Sequence, residues 1–310
     1  MSFSTSVKNE IIEIDYTKLE DISFLSGYIR NNYLYDGKNL IITSENRKII
    51  DKIYSLIKKY FDINMEVVES ENSNFYKNKL INIIISDKII DILNDLMVFD
   101  DDKYINHVKD YIVDSDDLKK AYLRGVFLAT GSINDPKTSR YHMEFLVNDN
   151  NEALSVVSLL SYFHINAKII NREKGYMVYV KDSENISDFL KLLGANRAVM
   201  YYEDIRAFRD KKNMANRLNN CEQANVDKVI SAAKSQLEDC IYLLDTLGEK
   251  LINERLLVAI TYRMKYPESS LEELSNIISL ETGKNITKSG LNHRFRDIKN
   301  KVIALKENSN

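Results

Sequence analysis

The side chains best equipped for chemistry lie together near the end of the chain. Lys288, Ser289, Asn292, His293, Arg294, Arg296 and Lys299 are all cationic or hydrogen-bonding, and they are interleaved with Leu291, Phe295, Ile298 and Val302. On a helix those four apolar residues form one stripe, which leaves the polar set on the opposite face. Such a face can read DNA, because asparagine pairs bidentately with adenine, and arginine with guanine, on the major-groove edge. Thr287 stands where it can cap the helix. Short polar groups beside the free amides of a first turn suit a phosphate, and Gly290 has no side chain to hold the backbone away. A solvated amphipathic helix would carry a similar charge run, so the preceding elements decide between the two.

Those elements favour the DNA-reading alternative. Ser270-Leu271-Glu272-Glu273 has the form of a capping box, in which serine and glutamate satisfy each other's backbone amides. Leu271, Leu274, Ile277 and Ile278 give that helix its apolar face, and Gly283 provides a sharp exit before the last helix, which is expected to run to about residue 305. This is the spacing of a helix-turn-helix. From residue 200 onward the pattern is helical throughout, with segments at 204–218, 225–247 and 253–266, the last broken by Pro267.

Other chemistries find little support. Cys221 and Cys240 have no partner pair at metal spacing and are expected to be buried thiols. His107, His142, His164 and His293 are scattered, so no catalytic residue, metal site or cofactor is expected. No apolar run approaches the roughly 20 residues that span a bilayer, and the N-terminus lacks a signal-peptide stretch. The expected location is the cytoplasm, in association with the nucleoid, without a membrane partner.

The net charge of −3 is uneven. Residues 1–200 hold 25 basic against 30 acidic side chains, while residues 201–310 hold 18 against 16. Two basic clusters lie in the second part. One contains Arg206, Arg209, Lys211, Lys212 and Arg217, candidates for phosphate contact, and the other surrounds the final helix. Ten aspartates against three lysines fall in residues 87–117, read as a solvated helix and connector.

The first two hundred residues look duplicated. Tyr60-Phe61-Asp62-Ile63-Asn64 returns as Tyr162-Phe163-His164-Ile165-Asn166, each after an apolar helical run, with a glycine-centred helix upstream. A short amphipathic helix comes first. The first copy then reads as helix 21–33 around Gly27, strand 39–43, helix 46–61, strands 65–69 and 80–86, and helix 88–99. The second reads as helix 118–130 around Gly125, strand 141–147, helix 152–163, strands 167–171 and 176–180, and helix 186–193.

The stretches Leu25-Ser26-Gly27-Tyr28-Ile29-Arg30-Asn31-Asn32-Tyr33 and Leu123-Arg124-Gly125-Val126-Phe127-Leu128-Ala129-Thr130-Gly131 resemble the paired helices of the LAGLIDADG homing endonucleases. With the tail Lys288-Ser289-Gly290-Leu291-Asn292-His293-Arg294-Phe295-Arg296 and the joining segment 216–225, they resemble the WhiA family of bacterial regulators. The resemblance implies an α+β N-terminal domain of two pseudo-symmetric LAGLIDADG-like repeats followed by an all-α helix-turn-helix domain. The expected boundaries are 1–204 (repeats about 19–100 and 117–195), a helical linker at 205–224, and 225–310. The implied function is regulation of cell division, chromosome segregation and, in some lineages, sporulation, with promoter DNA as partner and proteins of the transcription machinery as possible further partners.

In the endonucleases the penultimate residue of each motif is a metal-binding carboxylate. Here those positions are Asn32 and Thr130, so two-metal hydrolysis loses its ligands. Asp36 and Asp135 lie nearby but beyond the helix ends. Three functions follow: a sequence-specific DNA-binding regulator without nuclease activity, a divergent nuclease using displaced carboxylates, or a protein- or ligand-sensing module coupled to DNA binding.

Overall fold

A computed structural model describes residues 2–70, 79–101, 103–138 and 140–308. The chain forms two compact units, Met1–Arg209 and Asp210–Asn310.

The first unit begins with α1 (Phe3–Ile11), capped by Ser2 and burying Phe3, Val7 and Ile11 on one face. Helix α2 (Lys18–Asn31) starts at a capping box formed by Thr17 and Glu20. Then come β1 (Leu34–Tyr35), β2 (Leu40–Ser44), α3 (Arg47–Phe61), β3 (Met65–Ser70), β4 (Leu80–Ile85), α4 (Ile89–Asp95), and the hairpin of β5 (Phe99–Asp100) and β6 (Lys103–Tyr104). After a 3₁₀ turn at Asp110–Ile112, the order repeats as α5 (Asp116–Thr130), β7 (Gly131–Ile133), β8 (Met143–Val147), α6 (Asn150–Tyr162), β9 (Lys168–Arg172), β10 (Gly175–Val180) and α7 (Ser183–Leu193).

The two sheets have the same antiparallel order, β1-β2-β4-β3 and β7-β8-β10-β9. Alternation sends Leu40, Ile42, Ile81, Ile83 and Ile85 into the core from the first sheet, and Met143, Phe145, Val147, Val178 and Val180 from the second. Between the copies α2 meets α5 at backbone contact. A Cβ at Gly125 would lie 2.8 Å from the amide nitrogen of Tyr28 and closer still to the Phe24 carbonyl, and one at Gly27 would overlap the Tyr122 carbonyl. Only glycine fits both positions.

The repeated pentapeptide proves to be a helix exit. Asp62 and His164 both take positive φ, 42° and 60°, turning the chain so that Ile63 and Ile165 enter the core. The tyrosines tie these exits to the glycine helices: Tyr60 donates to Asp21 in the first turns of α2 at 2.6 Å, and Tyr162 donates to Asp116 at the start of α5 at 2.8 Å.

Three expectations change. Residues 88–99 do not form one helix; α4 ends at Asp95, Met97 turns at φ 52°, and Phe99 enters β5. An apolar run of that kind has no period to separate helix from strand, and Phe99 finds its ring partners in Tyr33, Tyr35 and Tyr104. The acidic run 87–117 contains that hairpin and the 3₁₀ turn; Asp102 within it lies outside the described residues. Cys240 is buried but Cys221 is exposed, because its stretch of α8 (Asn196–Leu247) is solvated on all sides.

Helix α8 runs unbroken through the expected helical stretches 204–218 and 225–247 and the helical linker, from the first unit into the second. The second unit continues through α9 (Glu254–Lys265), α10 (Leu271–Thr282) and α11 (Lys288–Asn308). Its core contains Cys240, Leu243, Leu256, Ile260, Leu274, Ile278 and the whole stripe Leu291, Phe295, Ile298 and Val302. No described helix is long and apolar enough to cross a membrane.

Candidate nucleic-acid interface

The turn between α10 and α11 is fixed at both ends. Ser270 accepts the Glu273 amide at 3.2 Å while Glu273 takes the Ser270 amide at 2.8 Å, completing the capping box. Gly283 ends α10 at φ 67°, where a side chain would be strained. Ser279 then bridges the turn, its Oγ accepting the Ile286 amide at 2.9 Å. Thr287 Oγ1 accepts the Gly290 amide at 3.1 Å, so α11 begins capped.

With the apolar stripe buried, Lys288, Ser289, His293, Arg296 and Lys299 are exposed and Asn292 is half-buried. Lys288 pairs with Glu272 of α10 at 3.2 Å, both largely solvated; such a pair contributes little stability and can open. Arg294 does not join this set. It is half-buried and its Nη1 donates to the Arg255 carbonyl at 3.3 Å.

Arg263 was not singled out by the pattern. It is only 1% exposed, donating to Gln236 Oε1 at 2.8 Å and to the Ser269 carbonyl at 2.6 Å, so it ties the capped start of α10 to α8. An arginine on the apolar face of a helix was the available signal.

The five phosphate candidates divide. Lys211, Lys212 and Arg217 are exposed on α8. Arg206 pairs with Glu203 at 3.2 Å, and Arg209 donates to the Pro136 and Thr138 carbonyls, both at 2.7 Å, while lying over the Tyr141 ring.

In the first unit, Asn32 and Thr130 serve the backbone. Asn32 donates to the Thr43 carbonyl at 2.9 Å and accepts its amide at 3.2 Å, holding β2; Thr130 donates to Val126 at 3.2 Å within its own helix. Lys8 of α1 lines the same cavity of about 650 Å³ as Asn32, and its ammonium donates to the Leu128 carbonyl at 3.1 Å. Burial lowers the Lys8 pKa to about 8. Asp36 is used by the Lys38 and Asn39 amides, and Asp135 by the Lys137 amide and Tyr201 hydroxyl. Among the described residues no three His, Cys, Asp or Glu side chains are grouped to hold a metal.

The outward sheet faces carry few charges, with Arg172 on the same side of β9 as Lys168. Across the first sheet one row reads Leu34, Ile41, Ile84 and Glu66, and across the second Ser132, Glu144, Tyr179 and Lys168. Phosphate affinity scales with the charges neutralised, and these rows supply one lysine.

Fold and turn together define a helix-turn-helix protein carrying a duplicated LAGLIDADG-like α+β unit. Three family profiles match the chain: the WhiA N-terminal LAGLIDADG-like domain at residues 23–99, the WhiA LAGLIDADG-like domain at 119–212, and the WhiA C-terminal HTH domain at 215–302. Proteins named "Probable cell division protein WhiA" from Bacillus mycoides (strain KBAB4) and Bacillus cereus (strain B4264) are each 36% identical over 305 residues, covering 96% of this chain and 95% of theirs. Full-length DUF199/WhiA from Thermatoga maritima has the same fold, with a TM-score of 0.57, 22% identity, and coverage of 98% of this chain and 99% of that one. The chain belongs to the WhiA family.

Proposed function

We propose that this protein is a sequence-specific regulator that binds double-stranded promoter DNA through α11 and acts in cell division and chromosome segregation. The observation that carries the reading is the capped turn that holds α11 with its apolar stripe filled and with Ser289, His293, Arg296 and Lys299 exposed. Asn292 and Arg296 are the base readers in this scheme, Ser289 and His293 lie beside them, and Lys288 and Lys299 approach phosphates at the edges of the groove. Lys211, Lys212 and Arg217 add backbone contacts. The family relatives' name supplies the link to cell division.

The first unit, taken as residues 1–204, has no nuclease activity in this reading and modulates the DNA-binding unit at 225–310 through the helical linker 205–224. Its neutral Asn32 and Thr130, both bonded to backbone, support that assignment. The protein works in the cytoplasm on the nucleoid, where contacts with the transcription machinery would follow from promoter binding.

Selection of duplexes from a randomised library, followed by footprinting on the organism's own genome, tests the proposal. Asn292→Ala with Arg296→Ala should relax base preference at the contacted positions, each good bidentate contact of side chain with base contributing about 1–3 kcal/mol of discrimination. An unaltered preference in that double variant would remove α11 as the reader. Cells lacking the protein should divide late and partition nucleoids unevenly; normal division and partition would detach the DNA-binding activity from this role.

A further inference from the structure

Arg294 leaves the face that reads bases and enters a cavity. The space, about 430 Å³, lies against the first turn of α9 and the α10–α11 turn, and is lined by Asn253, Arg255, Lys284, Asn285 and Arg294, with Glu254 as its only carboxylate. Arg255 is held there by Asn253, whose Oδ1 accepts the Arg255 amide at 2.8 Å. Gly283 turns the chain so that Lys284 and Asn285 reach the same space.

Three cations thus line the cavity with Glu254 as the one carboxylate beside them. Among the described residues none of Arg255, Lys284 and Arg294 has a carboxylate within ion-pair distance, whereas Lys265 and Lys288 of the same unit are matched to Glu281 and Glu272. Arg294 Nε is sealed from solvent with no hydrogen-bond partner. Burial, and after it the charge of Arg255, lowers the basicity of Arg294. Two like charges beside one another are costly, and an anion in the cavity relieves that cost.

We propose that this cavity seats one backbone phosphate of the bound duplex, with Arg255 and Arg294 donating to its oxygens and Lys284 adding charge. A phosphodiester offers two free oxygens, and the planar forks of two guanidiniums match them. Arg294 therefore sets the register of α11 on DNA, while Asn292 and Arg296 choose the sequence. The inference rests on the DNA-binding reading above.

The test uses the full-length chain, a duplex enriched from a randomised library and a random duplex of equal length. Binding is measured by fluorescence anisotropy across a salt series from about 50 to 300 mM. Arg255→Ala with Arg294→Ala should weaken binding to both duplexes by on the order of tenfold, make the slope of log K against log salt shallower by about 0.9, and return the same sequence on reselection. Arg294→Lys, which keeps the charge and spares the fold, should hold most of the slope. Thermal midpoints matching the wild type confirm that both variants are folded. If base preference relaxes while the slope stays, Arg294 reads a base and the proposal fails although the DNA reading stands. If neither changes, the cavity holds no phosphate. A wild-type protein that enriches no duplex overturns the DNA reading, and this proposal with it.

Discussion

Glu152→Gln tests how the two repeats are joined. Glu152 belongs to α6 of the second copy and Arg30 to α2 of the first, with side chains 2% and 1% exposed and Arg30 Nε 3.8 Å from Glu152 Oε2. Tyr122 donates to Glu152 Oε1 at 2.7 Å and Asn31 Nδ2 at 3.0 Å, while the remaining Arg30 donors reach the Ile105 and Met97 carbonyls. Glutamine keeps an acceptor for Tyr122 and Asn31, so the substitution removes charge and little else. At an effective dielectric of about 20, two unit charges 3.8 Å apart attract by about 4 kcal/mol, within the roughly 3–5 kcal/mol found on breaking buried pairs. At ~2–4 °C per kcal/mol for a unit of this size, the unfolding midpoint of the first unit should fall by roughly 8–16 °C. Calorimetry of the whole chain gives the midpoint, and hydrogen exchange followed by mass spectrometry should locate the loss in α2, α5 and the β5–β6 hairpin. Arg30→Met with Glu152→Gln, which removes both charges and keeps the acceptor for Tyr122 and Asn31, should recover part of it. A loss below about 1 kcal/mol for Glu152→Gln would mean that water screens the pair, and the reasoning would be wrong.

Gly125→Ala should cost about 3 kcal/mol, since the added methyl meets backbone of α2 that cannot move aside as a side chain would; denaturant unfolding measures it, and a change under about 0.5 kcal/mol would show that the helices separate freely. Lys8 carries a pKa lowered to about 8 by burial, so the unfolded chain binds the extra proton between pH 8 and 10.5. Stability relative to Lys8→Met should therefore rise with pH across that window, by up to about 3 kcal/mol; a flat difference in melting against pH would refute it. Supercoiled plasmid with magnesium or manganese should remain unnicked, and Asn32→Asp with Thr130→Asp should leave it so, because Lys8 sits in the Asn32 cavity and would pair with a new carboxylate; nicking by the reverted protein would contradict that account.

The sequence made most of the fold legible because the first unit obeys local rules. The short apolar runs at 40–42 and 80–85 mark strands and the box at Ser270 marks a helix start, while the box at Thr17 went unread and the first glycine helix was expected to begin three residues late, at Asp21. Strands β1 and β7 escaped because two or three residues carry no period. The final helix was legible as an amphipathic stripe, yet Arg294 was misjudged. Helical periodicity assigns a direction to Cβ, and a long side chain can then turn toward whatever acceptor lies beside it, here a carbonyl of α9 that is distant in sequence. Arg263 was missed for a related reason: its partners Gln236 and Ser269 come from two other elements.

The two copies serve as an internal comparison, and what they share separates scaffold from chemistry. Gly27 and Gly125 both remain because α2 and α5 touch through backbone. Tyr60 and Tyr162 both remain because each ties a helix exit to the start of a glycine helix, and Asp62 and His164 differ in type while keeping the same positive φ. At these places the backbone sets the requirement, and any side chain that meets it persists. Asn32 and Thr130 differ in type and in task, one pinning a strand and the other bonding within its own turn. Carboxylates are the usual ligands of hard divalent cations, and neither position carries one. The helix pair packs through backbone, and the base-reading chemistry proposed for this chain lies on α11, where Ser289, His293, Arg296 and Lys299 are exposed.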